Sequence, residues 1–447
     1  MSAPETALPE SPAAPRPAHR DANVLRWLAA YTASLIGDSV YFVALAWSAQ
    51  KVAGPAEVGL VMAAGAVPRA LLMLGGGVAA DRFGVRRIVL GSDAVRCVLI
   101  LAVAAGVAVT APALWILVAL ALAFGAVDAL FVPAVGALPP RITTPDQLAR
   151  VTGMRTLAMR VSQISGPPLG GLAMGLGGAP AAFAVAGVLF AGSLPLLLTV
   201  RLRPPGVPDA GDVRGEAADV RGEAAHVRGE AAHVQGEAPA PGSAWQDLIG
   251  GLRYLRRHRL IGPLIAVTAV SELGLTGTLN VGMVLLNGER GWGPSGYGWI
   301  VSGFGAGATV GAVLLTVAGR LPRAGLTLAG TLLVGCVGAA GIALVPALPL
   351  AVAMAGAVGL AMGVCGTLAN ALVQTSADPA YLGRVTSVLM LTTVGLAPMS
   401  YPVVGAAIGV WGSAPVFVGC GAFGSLGVVV ALACGTVRRA ELPDIKN

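Results

Sequence analysis

Apolar stretches of about 20 residues or more, nearly free of charge, recur from one end of this chain to the other. A helix rising 1.5 Å per residue crosses a hydrocarbon core of about 30 Å in that length. Inside such a core the backbone must satisfy its own hydrogen bonds, which only helices and closed barrels achieve. The alternation expected of barrel strands is absent, so helices are the reading. Spans fall near 24–48, 56–80, 86–108, 112–136, 148–175, 179–201, 260–286, 295–318, 323–345, 347–373, 382–409 and 413–436. Charged residues make up 11% of the 447, too few to cover a water-soluble globule, which carries roughly a quarter. The sequence predicts an all-α polytopic membrane protein with 12 transmembrane helices.

Arginine and lysine set the orientation. One set of loops holds Arg82, Arg86 and Arg87; Arg141 and Arg150; Arg320 and Arg323; and Arg384, while the alternate loops hold only Lys51 and Arg290. Both termini are therefore expected in the cytoplasm, with the protein in the cell (inner or plasma) membrane. Composition and the placing of the spans divide the chain into a disordered tail at 1–22, rich in Pro and Ala, a six-helix half at 23–201, a linker at 202–258, a second half at 259–437 and a tail at 438–447. The linker carries a four-fold heptad, DVRGEAA, DVRGEAA, HVRGEAA and HVQGEAP. Each unit has one sizeable apolar residue and a helix-weakening glycine, the signature of a solvated connector. After it, WQDLIGGLRYLRRHRL reads as an amphipathic helix on the inner leaflet, with Trp245, Leu248, Leu252 and Leu255 inward and Arg253, Arg256 and Arg257 outward.

The two halves repeat. LARVTG at 148–153 returns as LGRVTS at 382–387, and PLGG at 168–171 returns as PVVG at 402–405; each pair is separated by 234 positions. Gly77 and Gly311 keep the same separation. Parallel repeats of this kind build transporters whose site lies at the midplane between the halves.

These motifs resemble those of the major facilitator superfamily, most nearly its siderophore-exporter and macrolide-efflux group. GVAADRFGVRR at 77–87 is similar to the superfamily's GxxxDRxGRR loop, with one residue inserted before the arginine pair. The resemblance implies close helix approach at Gly77 and a charged cytoplasmic latch of Asp81, Arg82, Arg86 and Arg87, turned at Gly84. SGPPLGG at 165–171 resembles the antiporter GPxxGG motif and assigns Gly166, Pro167, Gly170 and Gly171 to control of closure. Further family-like strings are SDAVR at 92–96, FVPA at 131–134 and GRVTSV at 383–388. Span four lacks the buried arginine that many drug–proton antiporters place there.

An ionisable residue inside a span costs at least about 2.5–3.5 kcal/mol to insert, so each calls for a reason. Asp38, Arg69, Asp93, Arg96, Asp128, Arg155, Arg160 and Glu272 are the set, all but one in the first half. Asp38 and Glu272 are 234 positions apart, half-way along the first helix of each half. By family resemblance those helices line the central cavity, so one of these carboxyl groups is expected to carry the coupling proton. Asp93 and Arg96, three residues apart, suit a local pair. Asp128 is a second proton site or a partner for Arg69 or Arg160. Arg160 meets an anionic substrate group or neutralises Asp38. Ser34, Tyr41, Gln163, Thr268, Ser271, Asn280, Asn370 and Gln374 are the few polar side chains expected toward the cavity.

Other classes lose their footing. The only lysines, Lys51 and Lys446, lie outside any GxxxxGK, so no ATP-driven pump is encoded. There is no HExxH or GxSxG, and no catalytic residues are assigned. The five cysteines lack CxxC spacing, so neither metal nor other cofactor is expected. The scattered basic residues form no nucleic-acid patch. The expected partners are a small amphiphilic substrate, protons and the bilayer, the energy source is the proton gradient, and the chain is expected as a monomer. A proton-coupled exporter of drugs, siderophores or secondary metabolites is the reading; an uptake permease and a non-transporting sensor on the same fold are the alternatives.

Overall fold

Asp21 accepts a hydrogen bond from the Asn23 amide at 2.8 Å, satisfying one free N–H at a helix start. From there α1 runs over Ala22–Val52, followed by α2 (Pro55–Phe83), α3 (Val85–Val109), α4 (Leu114–Gly136) and α5 (Leu148–Thr199). The second half comprises α6 (Ile261–Glu289), α7 (Gly293–Ala318), α8 (Ala324–Leu344), α9 (Leu348–Ser376), α10 (Ser400–Trp411) and α11 (Ser413–Ala433). This computed structural model describes residues 17–110, 113–202, 253, 255, 256 and 258–441, save 319–320, 322, 379–380, 382–384, 387 and 390. Along 74–81, and at 391, 393, 394 and 397, it describes the backbone alone.

Ten helices among the described residues are long and apolar enough to cross a membrane. Two places separate this count from the twelve spans read in the sequence. The expected break near 176–178 is not a loop: α5 continues for 52 residues, and only Gly178 leaves helical geometry, at φ 67° and ψ −160°. A straight helix of that length would reach about 78 Å, far beyond one bilayer core, so the reversal is made at this single residue. A side chain is strained at that φ, which is why glycine stands there. The second place is the span expected at 382–409. Its described part is helical at 385–386 and 388–389, followed by a π-helical turn at Leu391–Leu396, a 3-10 turn at Ala397–Met399 and α10, which is too short to cross alone. The heptad repeat lies outside the described residues. Of the amphipathic segment, Leu255 is buried while Arg253 and Arg256 are exposed, as its pattern requires.

In the first half α1 and α3 pack on α5, and α2 on α4; in the second α9 packs on α7 and α8, and α11 on α6 and α8. Large apolar side chains such as Leu71, Val98, Val188, Val317 and Val337 are left exposed, a surface that suits lipid rather than water. The halves meet mainly through two pairs, α5 with α7 and α2 with α10. Small residues make both meetings possible. A Cβ on Gly171 would lie 2.6 Å from the Pro294 carbonyl oxygen, and one on Gly298 would strike the Pro167 carbonyl. Gly59 sits as close to the Tyr401 backbone, and Gly405 to that of Pro55. These contacts gather at the end of the bundle where α2 and α7 begin.

Candidate functional site

Arg96 is fully buried and gathers the acids of three helices. Its guanidinium bonds Asp93 on its own helix, Asp38 of α1 at 2.9 Å and Asp128 of α4 at 3.5 Å. Arg69 of α2 reaches Asp128 at 3.4 Å and is one-third exposed. Asp93 is held further by the hydroxyl groups of Ser34, at 3.0 Å, and Ser193, at 2.5 Å. Around the guanidinium stand Phe131, Phe190 and Phe124, with ring centres 3.8, 4.9 and 5.8 Å from its central carbon. Such rings offer their negative faces to a cation while excluding water. With every group ionised, three carboxylates face two guanidiniums, and one negative charge is left over.

The second feature is a cavity of about 640 Å³ between the halves, within the range of small-molecule sites. Most of its wall is apolar: Phe42 and Val43 from α1, Leu275, Leu279 and Met283 from α6, Val301 and Phe304 from α7, and Met362 from α9. Ser39, Arg160, Gln163, Thr268, Ser271, Glu272, Thr276, Asn280 and Tyr297 supply the polar groups. Arg160 donates to the Gln163 side chain at 3.2 Å, the Thr276 hydroxyl donates to Glu272, and the Asn280 amide is bonded to the Thr276 carbonyl at 2.8 Å. Among the described residues no cation lies within ion-pair distance of Glu272.

Several open assignments are thereby resolved in space. Asp38 is paired with Arg96, not with Arg160, and Asp128 is shared between Arg69 and Arg96. Asp93 and Arg96 do form the local pair, but Arg96 is also the hub for two other helices. Arg155 lies under the Tyr31 ring, 5.5 Å from its centre. Tyr41 is buried and stacked on Phe124, ring centres 3.8 Å apart, so it does not face the cavity as expected; the aromatic neighbour holds it away. Ser34 belongs to the charge cluster, and Asn370 and Gln374 are exposed away from the cavity lining. The aromatic cage and Ser193 leave no contiguous signal in the sequence: they are scattered over 124–193, and FVPA covers Phe131 alone.

Between α2 and α3 stands Gly84 alone, at φ 88°, and Arg82 at the end of α2 and Arg86 and Arg87 at the start of α3 are exposed. Arg86 donates to the Leu198 carbonyl at 2.8 Å, tying the start of α3 to the end of α5. The side chain of Asp81 and the surroundings of Gly77 lie outside the described residues. In the antiporter-like motif Gly166 and Gly170 lie against Ser39 and Val40 of α1, whereas Pro167 and Gly171 face α7.

A family model described as Major Facilitator Superfamily matches residues 27–398. The chain belongs to that superfamily. It is a multi-pass membrane protein of the transporter class rather than an enzyme. Solved structures share the superfamily fold at low identity. A bacterial homolog of the human lysosomal transporter Spinster, inward-facing and occupied, is 14% identical with a TM-score of 0.65, covering 95% of this chain and 97% of that one. A POT family transporter in complex with 5-aminolevulinic acid is 13% identical at TM-score 0.63, covering 92% and 95%. The nucleoside transporter NupG is 10% identical at TM-score 0.63, covering 92% of this chain and 100% of the other. No curated protein matches the sequence.

Proposed function

We propose that this superfamily member is a proton-coupled antiporter that exports small amphiphilic compounds from the cytoplasm by alternating access. It crosses the cell membrane twelve times, with both termini inside and with α5 supplying two crossings on either side of Gly178. The observation that carries this reading is the excess carboxylate in the Arg96 cluster. A single proton on Asp38 or Asp128 makes the cluster electrically neutral, and its release leaves one uncompensated charge in a medium of low dielectric. The two protonation states therefore differ strongly in what surroundings they tolerate, which is what a coupling site needs. Arg69, partly exposed and bonded to Asp128, is placed to respond, since α2 also packs on α10 of the other half.

The export direction is supported by the resemblance of SGPPLGG at 165–171 to the antiporter motif. The halves touch at the end that carries Lys51 and Arg290, while the arginine-rich loops lie at the other. The positive-inside bias makes that arginine-rich end cytoplasmic, the side from which an exporter loads its cargo. The mostly apolar wall with few polar groups suits an amphiphile better than a sugar, which needs many hydrogen bonds. Efflux from cells making the wild type or Asp38→Asn, with and without a protonophore, tests the reading. Protonophore-sensitive efflux that disappears in Asp38→Asn at equal membrane abundance is expected. Undiminished proton-coupled efflux by that variant would remove Asp38 as carrier, and efflux indifferent to the protonophore would remove proton coupling altogether.

A further inference from the structure

We infer that the cargo carries an ammonium group and a carboxylate at separate points of an apolar body, and that Glu272 and Arg160 recognise the two ends. This rests on the transport reading above and names the substrate class of that cavity. The cavity holds one acid and one base in its wall, and they come from opposite halves: Glu272 from α6, Arg160 from α5. Both are free of each other and of the charge cluster. Among the described residues Arg160 has only the neutral Gln163 as its side-chain partner, and Glu272 only the hydroxyl of Thr276. By contrast, the acid one repeat earlier, Asp38, is already bound to Arg96. The symmetric position has thus been released from ion pairing in the second half alone, and its carboxylate is left on the cavity wall.

The energetics select a doubly charged cargo. A purely cationic amphiphile would satisfy Glu272 but bring its charge into a site that also holds Arg160; a purely anionic one meets the reverse problem with Glu272. A zwitterion satisfies both, and each charge-assisted bond is strong in a site with apolar walls. Phe42, Leu279, Met283 and Phe304 then cover the body between the two charges. A cargo bridging α5 and α6 also links the two halves, which a one-ended ligand does not do.

The test uses purified full-length protein in lipid nanodiscs without any gradient. The probes are tritiated para-(aminomethyl)phenylbutanoic acid, its methyl ester, its N-acetyl derivative and the doubly blocked compound. N-acetylation is expected to weaken binding to the wild type by about ten- to a hundredfold. The same change should weaken binding to Glu272→Gln by no more than about twofold, because the partner is already gone. Esterification should behave in parallel with Arg160→Gln. Equal losses in wild type and variant would show that the ligand charge does not meet that side chain and would overturn the assignment. So would tighter binding of the doubly blocked compound, or binding of none of the four by protein that still unfolds cooperatively. Flux of the bound probes in proteoliposomes, with and without a pH difference, separately tests the transport reading, so loss of one leaves the other standing.

Discussion

Arg96 shows why charge inside a membrane helix has to be counted in groups. Removing the guanidinium would leave Asp38 and Asp93 unpaired and buried, at about 3–5 kcal/mol for a broken buried pair. Arg96→Gln is therefore expected to lower thermal stability sharply in detergent, and the double variant Arg96→Gln with Asp93→Asn to recover part of the loss. Absence of any recovery would mean that the pair is not the source of the cost. Arg96→Lys is not conservative here: a compact ammonium cannot address three carboxylates on three helices or lie flat against Phe131. Transport is expected to fail in that variant while much of the stability remains. The sequence disclosed the chemistry of this cluster but not its wiring. The three-residue spacing of Asp93 and Arg96 is a property of one helix and was legible as such. Which acids of α1 and α4 turn toward Arg96 depends on how each helix is rotated about its axis, and a nearly uniform apolar sequence leaves little trace of that. For the same reason Asp38 and Glu272, equal in the repeat, could not be told apart until one was found in an ion pair and the other on the cavity wall.

At the level of helices, the contacts of α5 and α7 depend on the absence of side chains. Gly171 has the Pro294 carbonyl where a Cβ would stand, so Gly171→Val forces the pair apart or forces strain of about 1–3 kcal/mol onto it. The expected result is a closure weakened by about tenfold or more: a cysteine introduced at Ser295 becomes more reactive toward a membrane-impermeant thiol reagent, and transport falls. Unchanged reactivity would show that this seam does not govern closure. The SGPPLGG string pointed to this element from the outset, but the partner did not follow from it. Gly298 and Gly305 of α7 complete the seam, and they sit in one of many glycine-rich stretches that look alike in sequence. Gly178 is the converse case. A break was expected there because two apolar spans had to be separated, yet the turn takes one residue rather than a loop.

For the whole molecule, the apolar runs, the arginine bias and the constant separation of the repeats were enough to read a helical membrane bundle in two halves. They placed a site between the halves but not its wall, which draws on helices from both in proportions that no repeat dictates. The orientation remains a prediction with a direct readout. In a variant lacking Cys97, Cys336, Cys365, Cys420 and Cys434, a cysteine at Lys51 or Arg290 is expected to react with an impermeant reagent added to intact cells. One at Arg141 or Arg323 should react only after the cells are opened. The opposite pattern would invert the molecule and put the arginine-rich end outside. The surplus carboxylate of the first half also has an electrical consequence. If one proton enters for each cargo of no net charge that leaves, every turnover carries one positive charge inward. Such a carrier would be driven by the membrane voltage as well as by the pH difference, gaining roughly 2.3 kcal/mol per 100 mV. It would also keep working at an external pH where the chemical gradient of protons has vanished.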